Sequence, residues 1–191
     1  MTDLALDAVE ARLSIGPGAT IGPYCSLGEE GPDAELVIGP QAHIRSHAVI
    51  YRGTVLGRRL HVGHGAVVRE NTTAGDDLSI GTLSVVEHDV TMGDSVRLHS
   101  RCFVPELSVL ESGCWLGPGV IVTNARYPNR VDTKARLEGV RVGAGAVIGA
   151  GAVLLAGVDI GADATVGAGA VVVADVAAGT TVVGNPARSV R

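Results

Sequence analysis

The sequence predicts an all-β fold in which the chain winds as a solenoid of short parallel strands. One observation is an aliphatic or small apolar residue at every sixth position, a period that fits neither an α-helix nor an alternating strand. Another is a glycine that often follows it, where the chain must turn. So short a period is typical of stacked coils. The periodic positions are Ile38, Ile44, Ile50, Leu56, Val62, Val68, Ala74, Ile80, Val86, Met92, Leu98, Val104, Leu110, Leu116 and Val122, then Val142, Ile148, Leu154, Ile160, Val166 and Val172.

Composition indicates a narrow core and argues against several classes of function. Only 3% of the 191 residues are aromatic, so aliphatic and small side chains must fill the interior. The net charge is −5 without any Lys/Arg run, which makes nucleic acid an unexpected partner. Residues 1–12 lack the pattern of a signal peptide, and no uninterrupted apolar stretch approaches the length of a membrane span. We therefore expect a cytoplasmic protein without membrane contact.

The period divides a single domain, 1–191, into coils and interruptions. Residues 125–140 cannot keep the period and should form a loop outside the coils, and long excursions of this kind often carry function. A shorter polar insertion covers residues 29–36. The expected segments are an N-terminal cap (1–14), coils (15–124), the excursion loop (125–140), further coils (141–183) and a C-terminal tail (184–191).

The repeating unit resembles that of a known family. In Val166-Gly167-Ala168-Gly169-Ala170-Val171, an aliphatic residue and a glycine are followed by a small inward residue. From Ile15 to Val183 the chain is similar to hexapeptide-repeat proteins, whose fold is a left-handed parallel β-helix with three hexapeptides per triangular coil. Most are acyl-CoA-dependent acyltransferases that work as homotrimers, with active sites between neighbouring prisms. The resemblance thus implies acetyl-CoA as acyl donor and no metal.

The resemblance also implies donor-binding residues. The ending Gly184-Asn185-Pro186-Ala187-Arg188 is similar to the usual C-terminus of these enzymes. By alignment with the galactoside and xenobiotic acetyltransferase branch, Ala150 and Ala168 would present backbone groups to the pantetheine arm, and Arg188 and Arg191 would approach the phosphates. A Thr-Lys pair of that branch falls here on Val173-Ala174, so Arg141 or the excursion would have to supply the missing contact.

The segment before the excursion resembles a narrower group. Residues 117–124 (GPGVIVTN), followed by Tyr127-Pro128, are similar to sugar-nucleotide N-acetyltransferases. In the galactoside branch a catalytic His precedes this Pro, but here the residue is Tyr127. This chain must therefore take its base from elsewhere. Asn124, Arg126 and Tyr127 are expected to contact the acceptor, because they stand where the loop leaves the coils.

His88 is the first candidate for that base. Residues 86–93 (VEHDVTMG) resemble a motif of acyltransferases in which a His followed by an acid is the base with its orienting partner. A carboxylate can fix the imidazole tautomer and stabilise the imidazolium, so Asp89 would orient His88. The alternative is an ordinary polar corner exposed to solvent.

The repeat places His88 within a line of polar residues. Steps of one coil connect it with Arg52, Glu70, Glu106 and Asn124, and stacked coils lie at about strand spacing, roughly 4.8 Å. These residues should follow one edge of the prism, below the excursion. Glu70 and Glu106 are therefore expected to contact substrate.

Two other histidines remain candidates, and the acceptor stays open. His64 lies on a different edge, together with Ser100, and His99 occupies a corner usually held by Gly. Stacking of His43 and His61 without a third ligand does not indicate a metal site. The reaction that the resemblance implies is acetyl transfer to an amino group of a nucleotide-linked amino sugar. The alternatives are O-acetylation of a sugar or xenobiotic alcohol, a longer acyl chain, or a noncatalytic scaffold.

Overall fold

The computed structural model describes residues 12–190, which form a three-sided parallel β-helix. Each side is one sheet, and every coil contributes one strand to each sheet. Strands of successive coils pair in register, as Ser79 pairs with both His61 and Arg97. The predicted all-β solenoid is confirmed, and the only helix among residues 12–190 is a 3₁₀ turn at Thr133–Arg136.

From β1 to β24 the strands rotate over the three sides in the order A, B, C, and β25 and β26 both join sheet B. Sheet A contains β1 (Leu13–Ile15), β4 (Leu36–Ile38), β7 (Val55–Leu56), β10 (Thr73–Ala74), β13 (Thr91–Met92), β16 (Val109–Leu110), β19 (Arg141–Val142) and β22 (Asp159–Ile160). Sheet B contains β2 (Thr20–Ile21), β5 (His43–Ile44), β8 (His61–Val62), β11 (Ser79–Ile80), β14 (Arg97–Leu98), β17 (Trp115–Leu116), β20 (Val147–Ile148), β23 (Thr165–Val166), β25 (Thr181–Val183) and β26 (Arg188–Ser189). Sheet C contains β3 (Ser26–Leu27), β6 (Val49–Ile50), β9 (Val67–Val68), β12 (Val85–Val86), β15 (Phe103–Val104), β18 (Ile121–Val122), β21 (Val153–Leu154) and β24 (Val171–Val172).

The core is filled by the periodic aliphatic residues and by small side chains at the corners. Cys102 and Cys114 are buried in these small positions as free thiols, and burial raises the pKa of Cys114 to about 12. Buried hydroxyls there donate to backbone carbonyls, as Ser84 Oγ does to the oxygen of His99 at 2.9 Å. Such bonds remove the cost of burying a polar group in an apolar interior.

All three departures from the regular coil lie at one edge of the prism, which we call the C–A corner because it joins sheet C to sheet A. The regular spacing between paired residues is 18. The first coil is longer, with a spacing of 23, because residues 28–35 separate β3 from β4. The excursion lies between β18 and β19, and the last coil is shortened to a spacing of 16 after β24. The other two corners, A–B and B–C, keep their length throughout.

The ends of the helix refine the predicted boundaries. β1 already starts at Leu13 and pairs with β4, two residues before the predicted start of the coils. Residues 1–11 of the predicted cap and Arg191 lie outside the described part of the chain. At the other end β26 turns back antiparallel onto β25. Between residues 12 and 190, no helix has the length and apolar character needed to cross a bilayer.

Candidate active site

His88 lies at the C–A corner with a carboxylate on each ring nitrogen. Its Nδ1 is 2.7 Å from Oδ2 of Asp89, and its Nε2 is 2.6 Å from Oε2 of Glu106. Asp89 adopts a left-handed backbone conformation (φ of 55°), which Asp tolerates better than most residues. A neutral imidazole donates from only one nitrogen, whereas the imidazolium donates from both. The two carboxylates therefore orient the ring. An imidazolium at this position could donate one hydrogen bond to each of them.

The predicted line of polar residues is present along this corner. The Asn124 side-chain N–H donates to Oε1 of Glu106 at 3.4 Å, so Glu106 connects Asn124 to His88. On the other side, the backbone N–H of Asp89 donates to the carbonyl of Glu70 at 3.1 Å. At the start of the line, Arg52 donates to the carbonyl of Gly31 in the insertion, at 2.9 Å.

A second charged network beside this line was not predicted. Arg69 forms ion pairs with Glu70 and Glu87, both at 2.8 Å, and lies 5.7 Å from the centre of the Tyr51 ring. Burial raises the pKa of Glu70, but its backbone hydrogen bond and Arg69 outweigh that effect and lower it. The signal was available, because residues 51, 69 and 87 have the same one-coil spacing as residues 52, 70 and 88.

The excursion forms a pocket of about 200 Å³ above the line. Its base is closed by the N–H of Glu138, which donates to the carbonyl of Asn124 at 2.9 Å. Inside the loop, the guanidinium of Arg130 lies 5.1 Å from the centre of the Tyr127 ring. The pocket is lined by Ala125, Arg126, Tyr127, Arg130, Asp132, Thr133, Arg136, Glu138 and Ala156. Arg136 pairs with Asp132 at 2.6 Å, which leaves Arg126 and Arg130 as the arginines of the pocket without an ion pair within residues 12–190.

The expected donor residues lie on a different edge, the B–C corner. Ala150 follows β20 and Ala168 follows β23, one coil apart. His64 is on the same corner nearer the N-terminus, where its Nδ1 is 2.9 Å from Oγ of Ser46. The structure therefore does not bring His88 and the donor residues together at one corner of a single chain. His99 is also at this corner, with its ring centre 4.8 Å from that of Trp115.

Backbone groups at the B–C corner are available to a ligand. At the A–B corner, the N–H groups of Arg58 and Asp76 donate to carboxylates of the next coil at 2.8 and 2.7 Å. The corresponding N–H groups of Ala150 and Ala168 have no acceptor within residues 12–190. Exposed amides without protein partners fit a ligand that supplies acceptors, as an amide-containing arm does.

The arginines near the last coils differ in whether a carboxylate already binds the guanidinium. Arg141 forms an ion pair with Glu111 and is therefore occupied. Arg126, from the excursion, instead lies 3.4 Å from the carbonyl of Val173, at the place where the related branch has its Thr-Lys pair. Arg188 lies on β26. Within the described residues its guanidinium donates one hydrogen bond, to the carbonyl of Ala187 at 2.8 Å. His43 and His61 stack at 5.8 Å, and no group of three potential metal ligands occurs within residues 12–190.

Comparison with known proteins assigns the repeat. Residues 139–174 match the family described as bacterial transferase hexapeptide (six repeats). The hexapeptide repeat noted in the sequence is thereby confirmed for residues 139–174. No curated protein matches the chain.

Several solved acetyltransferase structures resemble the chain at low identity. The acetyltransferase domain of PglB from Neisseria gonorrhoeae FA1090, in complex with acetyl coenzyme A, is 21% identical, with 91% of this chain and 58% of that chain covered and a TM-score of 0.47. PerB from Caulobacter crescentus, in complex with CoA and GDP-perosamine, is 24% identical over 93% and 58%, with a TM-score of 0.44. A maltose O-acetyltransferase from Clostridium difficile 630 is 19% identical over 97% and 73%, with a TM-score of 0.39. The chain thus spans 58% of the length of the first two.

Proposed function

We propose that this protein is an acetyl-CoA-dependent acetyltransferase that acts on an amino group of a nucleotide-linked amino sugar. The observation that supports this most directly is the Asp89–His88–Glu106 array, placed where the excursion leaves the coils. A His held by a carboxylate is suited to accept a proton from an attacking nucleophile. Asp89 stays on Nδ1 and orients the ring, so Nε2 is the nitrogen that serves the reaction.

Glu106 gives this array a way to receive an amine. An amine in water is mostly an ammonium ion, and Glu106 with Asn124 offers it acceptor oxygens at the position of His88 Nε2. The ammonium gives one proton to solvent, and the neutral amine then replaces Glu106 at Nε2 of His88. Its nitrogen attacks the thioester carbonyl, and a C–N bond forms. His88 takes a proton from that nitrogen, the C–S bond breaks, and His88 passes the proton to the departing sulfur, so that CoA leaves as a thiol. The pocket in the excursion, with Arg126 and Tyr127, contacts the acceptor close to its reacting amine.

The donor is held by the B–C corner. The unpartnered N–H groups of Ala150 and Ala168 bind carbonyls of the pantetheine arm. Arg188 is available for the phosphates, and Arg126 replaces the missing basic residue near Val173. By the resemblance, Arg191 joins this group.

The two corners meet if the protein is a homotrimer. Sheet C lies between the C–A and B–C corners, and its outward side chains form an uninterrupted apolar row: Val49, Val67, Val85, Phe103, Ile121, Val153 and Val171. Contiguous apolar surface of this kind favours burial against another chain. With sheet C facing a three-fold axis, the C–A corner of one protomer faces the B–C corner of the next, in a ring that closes head to tail. The corner that carries His88 and the corner that carries His64 then face each other from two protomers across one cleft.

Exchange of Ile121 for Glu should disrupt the trimer. Ile121 lies on sheet C with 45% of its surface exposed in the single chain, and a charge there would be buried without a partner in the assembly. Mass measured by light scattering after size-exclusion chromatography should fall from three chains towards one. Val55→Glu is the matched control, because Val55 has the same 45% exposure but lies on sheet A. A wild-type mass of one chain, or equal loss of mass in both variants, would contradict this arrangement.

The activity itself is tested by thiol release from acetyl-CoA with a panel of nucleotide-linked amino sugars. We expect turnover with an amino sugar and none with the matching hydroxyl sugar. Turnover with hydroxyl acceptors alone would show that the protein is an O-acetyltransferase. If calorimetry detected no binding of acetyl-CoA, the proposed activity would be refuted and a noncatalytic scaffold would be the remaining alternative.

A further inference from the structure

One face of the prism carries many basic side chains and no carboxylate. It comprises residues 43–47, 61–65, 79–83 and 97–101, on sheet B and the adjoining B–C corner, and we call it the basic face. No Asp or Glu occurs in these segments. They hold five of the six histidines and three arginines: His43, His47, His61, His64, His99, Arg45, Arg97 and Arg101. The chain as a whole has net charge −5, so this face differs in sign from the rest.

The arginines of the basic face have no carboxylate partners. Elsewhere, Arg58 and Arg59 pair with aspartates at 2.7 and 2.5 Å. Arg45, Arg97 and Arg101 form no ion pair within residues 12–190. A guanidinium without a carboxylate partner keeps its N–H donors available to a bound anion.

A pocket of about 250 Å³ lies within the basic face. Its polar side chains are those of His43, Arg45, His61, Ser79, Thr82 and Ser100. Thr20 is 2.6 Å from Nδ1 of His43 and so fixes the orientation of that ring. The backbone N–H groups of Thr82 and Ser100 have no acceptor within the described residues. The pocket thus combines a guanidinium, two imidazoles, three hydroxyls and two free amides.

We propose that this pocket binds a diphosphate group. A bidentate guanidinium together with hydroxyl and amide donors matches the many oxygens of a phosphate chain. Two ligands of the proposed reaction carry a diphosphate, the nucleotide-linked acceptor and CoA. The position favours the acceptor, since β11, which carries Ser79, belongs to the same coil as the corner with His88. Ala150 and Ala168, expected to hold the donor, lie in later coils.

This assignment to the acceptor rests on the proposed function and deepens it. In the trimer proposed above, coils of equal rank lie at equal height around the axis. The pocket of one protomer therefore faces the His88 of the next, and the diphosphate is held across the cleft from the amine that reacts.

Calorimetric titration with inorganic pyrophosphate tests the site without requiring turnover. We expect saturable binding, weakened about tenfold or more by Arg45→Gln, because a charge-assisted hydrogen bond is lost. Arg58→Gln should leave binding unchanged, since Arg58 is paired and lies on another corner. His61→Gln should weaken binding, whereas His47→Gln should not, because His47 stacks on Tyr24 outside the pocket.

Competition distinguishes the two sources of diphosphate. A nucleoside diphosphate should displace pyrophosphate, and CoA should not; displacement by CoA alone would overturn the assignment to the acceptor. Absence of pyrophosphate binding, or binding unaffected by Arg45→Gln, would overturn the site itself, even if acetyl transfer is observed. Conversely, pyrophosphate binding that responds to Arg45→Gln in a protein without acetyl transfer would retain the site and refute the proposed function.

Discussion

Replacement of His88 by Ala is expected to lower kcat for acetyl transfer about 10²- to 10⁴-fold, the usual contribution of a positioned general base. The variant removes the nitrogen that takes the proton of the attacking amine, while Asp89 and Glu106 remain. KM for acetyl-CoA should change little, because the expected donor residues lie at the B–C corner. Steady-state thiol release at saturating donor measures the effect.

Four further variants separate catalysis from general damage. His47→Ala should retain activity, because the His47 ring packs on Tyr24, away from the corner that carries His88. Asp89→Asn should lower kcat, since an amide holds the imidazole less firmly in its reactive tautomer. Glu106→Gln should mainly raise KM for the acceptor, because it loses a charge that attracts ammonium. Full turnover of the His88 variant together with loss in His64→Ala would transfer the role of base to His64.

Replacement of Leu98 by Ala is expected to cost about 2–5 kcal/mol of unfolding free energy, as for other buried leucines. Leu98 is 1% exposed in the centre of the β-helix, between strands of the coils before and after it. The narrow interior has few large side chains that could move into the space left. Urea unfolding followed by far-ultraviolet circular dichroism measures the change in free energy.

Leu83 provides the matched control for that experiment. It is 61% exposed at the B–C corner of the preceding coil, so Leu83→Ala should change stability by only about 0.5 kcal/mol. Equal destabilisation by both variants would contradict the assignment of the core. A small effect at both positions would indicate that the coils readjust around the lost volume.

The periodicity predicted most of the fold because inward and outward positions are set by backbone geometry alone. It aligned Glu70, His88, Glu106 and Asn124 along one edge. It could not show that Glu106 reaches Nε2 of His88, because that contact depends on side-chain rotamers.

Other features depended on relations that spacing does not contain. The excursion interrupts the numbering between residues 124 and 141, so simple steps of one coil do not connect Ala150 with His64. Only the strand pairing across the excursion, such as Trp115 with Val147, shows that both lie at the B–C corner. The apolar row on sheet C was also overlooked, although each member directly precedes a periodic residue.

The confinement of every irregular coil to the C–A corner has a consequence for redesign. Residues 28–35, 125–140 and 173–175 differ in length from the regular repeat. Strand register resumes on all three sheets after the first two of these segments, and on sheet B after the third. The number of residues at this corner can therefore change without altering how the strands pair. Segments of other lengths should be interchangeable there, so that acceptor preference could be transplanted between proteins of this architecture while the donor edge is left untouched.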